Sequence, residues 1–241
     1  MIKKTVEIKE RNLALEAVRV TEAAALSASN WIGLGDEKKA DAAAVKAMRE
    51  SLNALDIDGE VVIGEGERDK APMLFIGEKV GTKKGPKVDI ALDPLEGTTI
   101  CATGGNNALT VIAFSEKGGF LNAPDVYMDK IAIGGNLSKD IIDIDAEPKT
   151  NIKNLAKGLK KEVDDIVVCI LDRPRHEDII AKCRETGARV MLISDGDVSG
   201  IIATANPDTG VDMYLGIGGA PEGVLAAAAL RCIGGQMQAR L

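Results

Sequence analysis

The first strong pattern along the chain is helical. Leu13, Ala17, Val20, Ala24, Ser27 and Trp31 recur at alternating steps of four and three residues, one stripe of a long amphipathic helix. Gly33-Leu34-Gly35 supplies its C-terminal stop. A second helix is predicted from about Asp41, with Val45, Met48, Leu52 and Leu55 on one face. The period then changes. Glu60–Ile63 reads as a strand that breaks at Gly64, followed by strands over Pro72–Val80, Val88–Leu92, Ala108–Phe114 and Tyr127–Ile133, with a turn at Lys117-Gly118-Gly119. Asn136–Thr150 is polar and is expected to cross between two layers or domains. Beyond it the rhythm is strand and helix in alternation. Strands are predicted over Ile166–Leu171, Arg189–Ile193 and Val211–Ile217, and helices over Arg175–Thr186, Val198–Thr204 and Glu222–Cys232. The expected fold class is α/β, an α+β layered sandwich of stacked helix and mixed-sheet layers, in two subdomains over residues 1–135 and 136–241.

Composition narrows the function. With 241 residues, 45% hydrophobic and 28% charged, the chain can bury a sizeable core and is not of disordered type. One Trp, two Tyr and three Phe leave Ala, Val, Ile and Leu to build that core, and they offer no stacking platform for single-stranded nucleic acid. A net charge of −7 gives no basic footprint for a nucleic-acid backbone. Cys101, Cys169, Cys183 and Cys232 are widely spaced, which favours buried thiols in a cytoplasmic protein over a disulfide framework. His176 is the sole histidine, so zinc sites built on two or three histidines are excluded, and no GxSxG accompanies a hydrolase triad. The N-terminus mixes charges at once, and no apolar run approaches the length of a membrane span. Any catalysis falls to carboxylates.

Those carboxylates gather at strand ends. In Val88-Asp89-Ile90-Ala91-Leu92-Asp93-Pro94-Leu95-Glu96-Gly97-Thr98 an apolar strand delivers Asp93, and Pro94 is expected to stop the ladder. Glu96 follows three residues on, Gly97 permits a tight backbone, and Thr98 starts a helix whose free N–H groups point to the same spot. Two carboxylates, the Leu95 carbonyl and a hydroxyl are hard oxygen donors suited to Mg²⁺ or Mn²⁺. The bland alternative is a strand end with solvated acids and a capping Thr. Ile63-Gly64-Glu65-Gly66-Glu67 is a second acidic turn, equally readable as an exposed hairpin. Asp41 reads as a helix N-cap or as a further acid of the site. Gly218-Gly219-Ala220-Pro221-Glu222-Gly223 reads either as a simple strand-to-helix connection or as a turn whose glycines let a phosphate or sugar approach and whose Glu222 is within reach of a metal.

Taken together, these segments resemble a known family. Asp93-Pro94-Leu95-Glu96-Gly97-Thr98 resembles the metal-binding signature of the lithium-sensitive, metal-dependent sugar phosphatases, which include the inositol monophosphatases. Trp31-Ile32-Gly33, Ala40-Asp41, Val62–Glu67, Ala71-Pro72-Met73-Leu74, Asn122-Ala123-Pro124-Asp125, Arg173-Pro174-Arg175-His176, Ser194–Val198 and Gly218–Gly223 are similar to class II fructose-1,6-bisphosphatase, in one order from about Leu13 to the last residue.

The resemblance implies a phosphatase that hydrolyses the 1-phosphate of fructose 1,6-bisphosphate to fructose 6-phosphate, in gluconeogenesis or Calvin-type carbon metabolism. It implies a metal-binding subdomain followed by a substrate-binding one. It also implies two or more Mn²⁺ or Mg²⁺ ions on Asp41, Glu65, Asp93, Glu96 and Glu222, with Asp41, Glu65 and Thr98 as catalytic residues. Substrate contacts are implied for Glu96, Gly97, Thr98, Tyr127, Arg173, Pro174, Arg175, Asp195, Gly196, Asp197 and Gly219. Arg173 and Arg175 suit the second phosphate, and Asp195 and Asp197 the sugar hydroxyls; unaided by the resemblance, the former read as a solvated helix start and the latter as helix caps. His176 reads as a structural hydrogen-bonding group. A homo-oligomer, dimer or tetramer, is expected, with no membrane or nucleic-acid partner. Sedoheptulose 1,7-bisphosphate as a second substrate, an inositol monophosphatase-like activity and a non-catalytic sugar-phosphate-binding module stay open as alternatives. The chain departs from the family in two ways. Glu37 stands where a Lys is usual, with Lys38 and Lys39 following, and family chains continue past Leu241, so the strand expected over Gln236–Leu241 is expected to leave a sheet edge uncovered.

Overall fold

The computed structural model describes residues 13–64 and 74–241. The expected Glu65-Gly66-Glu67 turn and the start of the strand expected over Pro72–Val80 lie outside these residues; of the described part of that stretch only Lys79–Val80 is strand, and residues 74–78 form a loop and turn.

The opening stripe forms α1 (Leu13–Ser29), with Val20, Ala24 and Ala28 buried. The second helix, α2 (Glu37–Asn53), starts a full turn earlier than its apolar face predicts. Asp36 is the N-cap, its carboxylate accepting from Lys39 N at 3.1 Å, and Ala40 already belongs to the core. Asp41 therefore sits inside the helix and caps nothing.

The strands are β1 (Asp58–Ile63), β2 (Lys79–Val80), β3 (Lys87–Glu96), β4 (Leu109–Glu116), β5 (Tyr127–Ile133), β6 (Val167–Leu171), β7 (Arg189–Ile193), β8 (Met213–Gly219) and β9 (Gln236–Arg240). They form a four-stranded sheet in the order β2-β1-β3-β4 and a five-stranded one in the order β7-β6-β8-β5-β9. The helices between and after them are α3 (Thr98–Thr103), α4 (Pro148–Leu159), α5 (Glu177–Glu185), α6 (Asp197–Ala203) and α7 (Ala220–Ile233). α4 replaces the end of the expected polar crossing and the stretch after it. Its Lys and Asn residues hide a narrow stripe of Ile152, Leu155 and Ala156, and Pro148 at its start was the available signal.

The buried clusters define the layers. α1 and α2 cover one face of the first sheet through Val20, Ala24, Met48, Leu52, Val61 and Ile90. Its other face meets α6 and α7 through Ile63, Ala91, Val198, Val224 and Leu225. The same two helices cover the second sheet through Ile201, Tyr214, Ala226 and Leu230, and α4 and α5 close it from outside through Ile152, Leu155, Ile180 and Ile131. Helix, sheet, helix, sheet and helix thus alternate in an α/β layered sandwich. The expected strand at the C-terminus is present as β9; it pairs with β5 and forms one border of the second sheet.

Two features of topology matter for function. β6 runs parallel to β7 and β8, so the segments that follow these three strands emerge on one side. β5 is antiparallel to β8, with Tyr127 opposite Gly219, so its N-terminus joins them there.

Candidate active site

β3 brings the first acids, by a route the proline rule did not anticipate. The strand does not stop at Pro94. It continues to Glu96 through a bulge, with Asp93 opposite Val111 and Glu96 opposite Leu109. Three steps on β3 match two on β4, and Pro94, which has no N–H to donate, lies in the irregular stretch; its carbonyl accepts from Thr110 Oγ1 at 3.1 Å. In a regular strand residues three apart point to opposite faces. The extra residue cancels that alternation, so Asp93 and Glu96 reach the same volume and share a hydrogen bond.

Glu222 arrives from the first turn of α7, after β8. Oxygens of Asp93, Glu96 and Glu222 all lie within 4.8 Å of one another. Burial, then the charges of Asp93 and Asp197, pushes the Glu96 carboxyl up to about 10, and burial raises Glu222 as well. Without a cation this cluster must hold a proton. Glu222 Oε2 is buried with no hydrogen-bond partner, an acceptor left over. Hard, crowded, desolvated oxygens with an orphan among them fit a divalent cation of the Mg²⁺ or Mn²⁺ kind.

That proton has a measurable consequence. Glu96 is raised above its ordinary 4.5, so between about pH 4.5 and 10 the folded state binds protons that the unfolded chain has lost. Stability of the metal-free protein is then expected to fall as pH rises through this window, and Glu96→Gln should flatten the slope. Thermal unfolding in chelator across that range checks it. A wild-type profile no steeper than that of Glu96→Gln would refute a buried acid proton.

Helix starts converge on the same place. Gly97, at φ +85°, turns the chain from Glu96 into α3, and Gly196, at φ +80°, does so before α6. Both dihedrals are open to glycine and strained for residues with a Cβ. The two turns pack together: a Cβ on Gly97 would lie 3.0 Å from Ile100 Cδ1, and one on Gly196 would lie 3.6 Å from the same atom. Val198 N donates to Glu96 Oε1 at 3.3 Å and ties the sheets' two contributions together. Thr98, half-buried, opens α3. α2 packs against α3, and Gly33 N and Gly35 N donate to Cys101 O and Ala102 O at 3.0 and 2.9 Å. Asp41 Oδ1 is buried without a partner, and burial raises the carboxyl's pKa; it does not join the three clustered acids. Glu65 lies outside the described residues.

The remaining candidates line the side where β6, β7 and β8 end. Arg173 donates to Asp172 O at 3.0 Å and to Ser194 O, and its Nη2 lies 3.5 Å from Asp195 Oδ1. Pro174 starts the short 3₁₀ turn that carries the chain to Arg175. Arg175 donates twice to Ile217 O, at 3.1 and 2.9 Å, and stacks on the exposed Tyr127 ring at 4.8 Å. Gly219 pairs with Tyr127, and a Cβ there would lie 1.9 Å from Glu222 Oε2, so only glycine leaves that carboxylate its place. His176 is fully buried between Leu171 O, 2.7 Å from Nδ1, and Ile217 N, which donates to Nε2 at 2.8 Å. It bridges the ends of β6 and β8, and desolvation keeps it neutral by lowering its pKa. Of the lysines after Glu37, Lys39 pairs with Asp36 at 2.9 Å and lies over Trp31. One residue escaped sequence reasoning. Lys130 is buried in β5 and pairs with Asp197 at 2.6 Å. The signal was a charge alternating with Met128 and Ala132 on an apolar face.

A profile described as bacterial fructose-1,6-bisphosphatase, glpX-encoded, matches residues 11–241. The chain is 52% identical to fructose-1,6-bisphosphatase 1 class 2 of Escherichia coli strain K12 over 231 residues, 96% of this chain and 68% of that protein. It is equally identical to fructose-1,6-bisphosphatase class 2 of Haemophilus influenzae, over 96% of this chain and 69% of that one. The chain belongs to the class 2 fructose-1,6-bisphosphatase family. In this family member Asp93 and Glu96 come from the first sheet, Tyr127 and Gly219 from the second, and Glu222 from the first turn of α7. Among solved structures, an extragenic suppressor from Pyrococcus furiosus aligns over 90% of this chain and 82% of that one, at 10% identity and a TM-score of 0.42, too loose a likeness to carry an argument. No helix among the described residues is long and apolar enough to cross a membrane.

Proposed function

We propose that this protein is a metal-dependent phosphatase that removes the 1-phosphate of fructose 1,6-bisphosphate, leaving fructose 6-phosphate and phosphate. The observation that carries the reading is the trio of Asp93, Glu96 and Glu222 oxygens within 4.8 Å, in a chain half identical to class 2 fructose-1,6-bisphosphatases. Mn²⁺ or Mg²⁺ held there supplies charge neutralisation for the phosphoryl oxygens and a more acidic bound water. The chain's own residues do the rest. Thr98, at the start of α3, orients the attacking water in line with phosphorus. Asp41, with its unpartnered buried oxygen, receives the proton. Arg175, held against Ile217 O and Tyr127, and Arg173 beside it face the distal phosphate. Asp195 and Asp197 accept from sugar hydroxyls. Glu65, the residue after Gly64 in the sequence, completes the acid set by resemblance.

Phosphate release from fructose 1,6-bisphosphate with added Mn²⁺, measured against metal-free protein, tests the reading; equal rates in the two would overturn it. Arg175→Ala is expected to raise KM for the bisphosphate about 10- to 100-fold, the loss of one charge-assisted bond. A monophosphate lacking the distal group should be affected far less. Equal losses on both substrates would separate Arg175 from the second phosphate.

A further inference from the structure

Lys130 is 1% exposed, and its Nζ lies 2.6 Å from Asp197 Oδ2. A lysine and an aspartate this deep are tolerated as a pair and costly singly. The space around the pair is cut to its shape. A Cβ on Gly218 would lie 2.0 Å from Asp197 Oδ2 and 3.1 Å from Lys130 Nζ, and one on Gly223 would lie 3.2 Å from Lys130 Cε. The pair also stands against the three clustered acids. Asp197 is the residue before Val198, whose N–H holds Glu96, and Gly223 follows Glu222 directly. The charge of Asp197 discourages ionisation of both Glu96 and Glu222, and Lys130 opposes that effect at Glu222. Left unpaired, a fourth carboxylate beside the clustered Asp93, Glu96 and Glu222 would be drawn to a divalent cation as a further ligand.

We propose that Lys130 is a positioning residue that keeps Asp197 out of the metal-binding set. With Oδ2 taken by the ammonium, Asp197 is fixed as an acceptor for substrate hydroxyls, and the cation is left to Asp93, Glu96 and Glu222. The inference rests on the phosphatase reading above. A merely structural ion pair would set stability and leave metal binding alone.

The test is titration of the substrate-free protein with Mn²⁺, followed by calorimetry and by the electron paramagnetic resonance signal of free Mn²⁺. Lys130→Met is expected to tighten Mn²⁺ binding on the order of tenfold, the field of one buried charge a few ångströms from a divalent ion. It should also raise KM for fructose 1,6-bisphosphate. The double variant Lys130→Met with Asp197→Asn removes one charge of each sign and is expected to return Mn²⁺ affinity to within about threefold of wild type. Unchanged Mn²⁺ binding in a folded Lys130→Met would overturn the proposal. So would a double variant that loses Mn²⁺ affinity more than about tenfold, because Asp197 would then be a ligand itself. If Lys130→Met does not fold, Lys130→Gln, which removes the charge and keeps a hydrogen-bond donor for Asp197, is read in its place, and unchanged Mn²⁺ binding there overturns the proposal equally. A wild-type protein that takes up no Mn²⁺ overturns the phosphatase reading and this inference with it, whereas failure of the variants overturns the inference only.

Discussion

Replacing Asp93 by Asn is expected to abolish Mn²⁺-dependent phosphate release and to leave the metal-free protein at least as stable as wild type. Asn keeps an Oδ1 acceptor for Leu95 N, 3.0 Å from that atom in the native turn, so the bulge in β3 retains its local hydrogen bond. It removes a negative charge from beside Glu96, whose carboxyl is raised partly by that charge. Relief of repulsion between clustered acids favours the folded metal-free state. The same loss removes one of three anionic ligands, and a neutral amide oxygen is a weaker donor to a hard cation. Steady-state phosphate release at saturating Mn²⁺, together with Tm in chelator, reads both halves. Wild-type turnover in Asp93→Asn would remove Asp93 from the metal site; a lower metal-free Tm would contradict the repulsion account.

At Thr98 the larger information lies in a pair of variants. Thr98→Ala is expected to lose roughly 10²–10⁴-fold in kcat, the range for general-base assistance, with KM little changed. Thr98→Ser keeps the hydroxyl and loses the methyl that restricts its rotamer, so it should retain substantial activity. The hydroxyl has no useful basicity of its own and must pass a proton on. Asp41 is the acceptor we propose for it; one of its oxygens is buried and unpartnered, on a helix packed against α3. If the Ala and Ser variants turn over equally fast, Thr98 is a helix-start residue and nothing more.

Periodicity was enough to read most of the layers. Strands β3 to β8 and helices α1, α5, α6 and α7 carry apolar spacings that match their period, because most of them bury a face in a layered core; β4 and β7 hold only partly buried or exposed residues. α4 was hidden, since a helix covering the outside of a sheet needs only a narrow stripe, and Lys and Asn fill the rest. The start of α2 was displaced by a turn because Asp36, not the first large apolar residue, ends the orphan N–H groups. Arg173, Asp195 and Gly219 were visible as strand-end residues by the same alternation.

That the chemistry is carboxylate chemistry can be read from the residues alone: one histidine, scattered cysteines and acids following strands leave little else. Which acids meet depends on how the chain packs. Asp93 and Glu96 share a volume because a bulge adds a residue to β3, and Glu222 joins them because α7 lies between the two sheets. Register and layer order are set by contacts between residues far apart in the chain, which local spacing does not encode. Lys130 shows the same limit. Its position in β5 is legible, but its partner is 67 residues away, and that distance closes only when α6 packs on the second sheet.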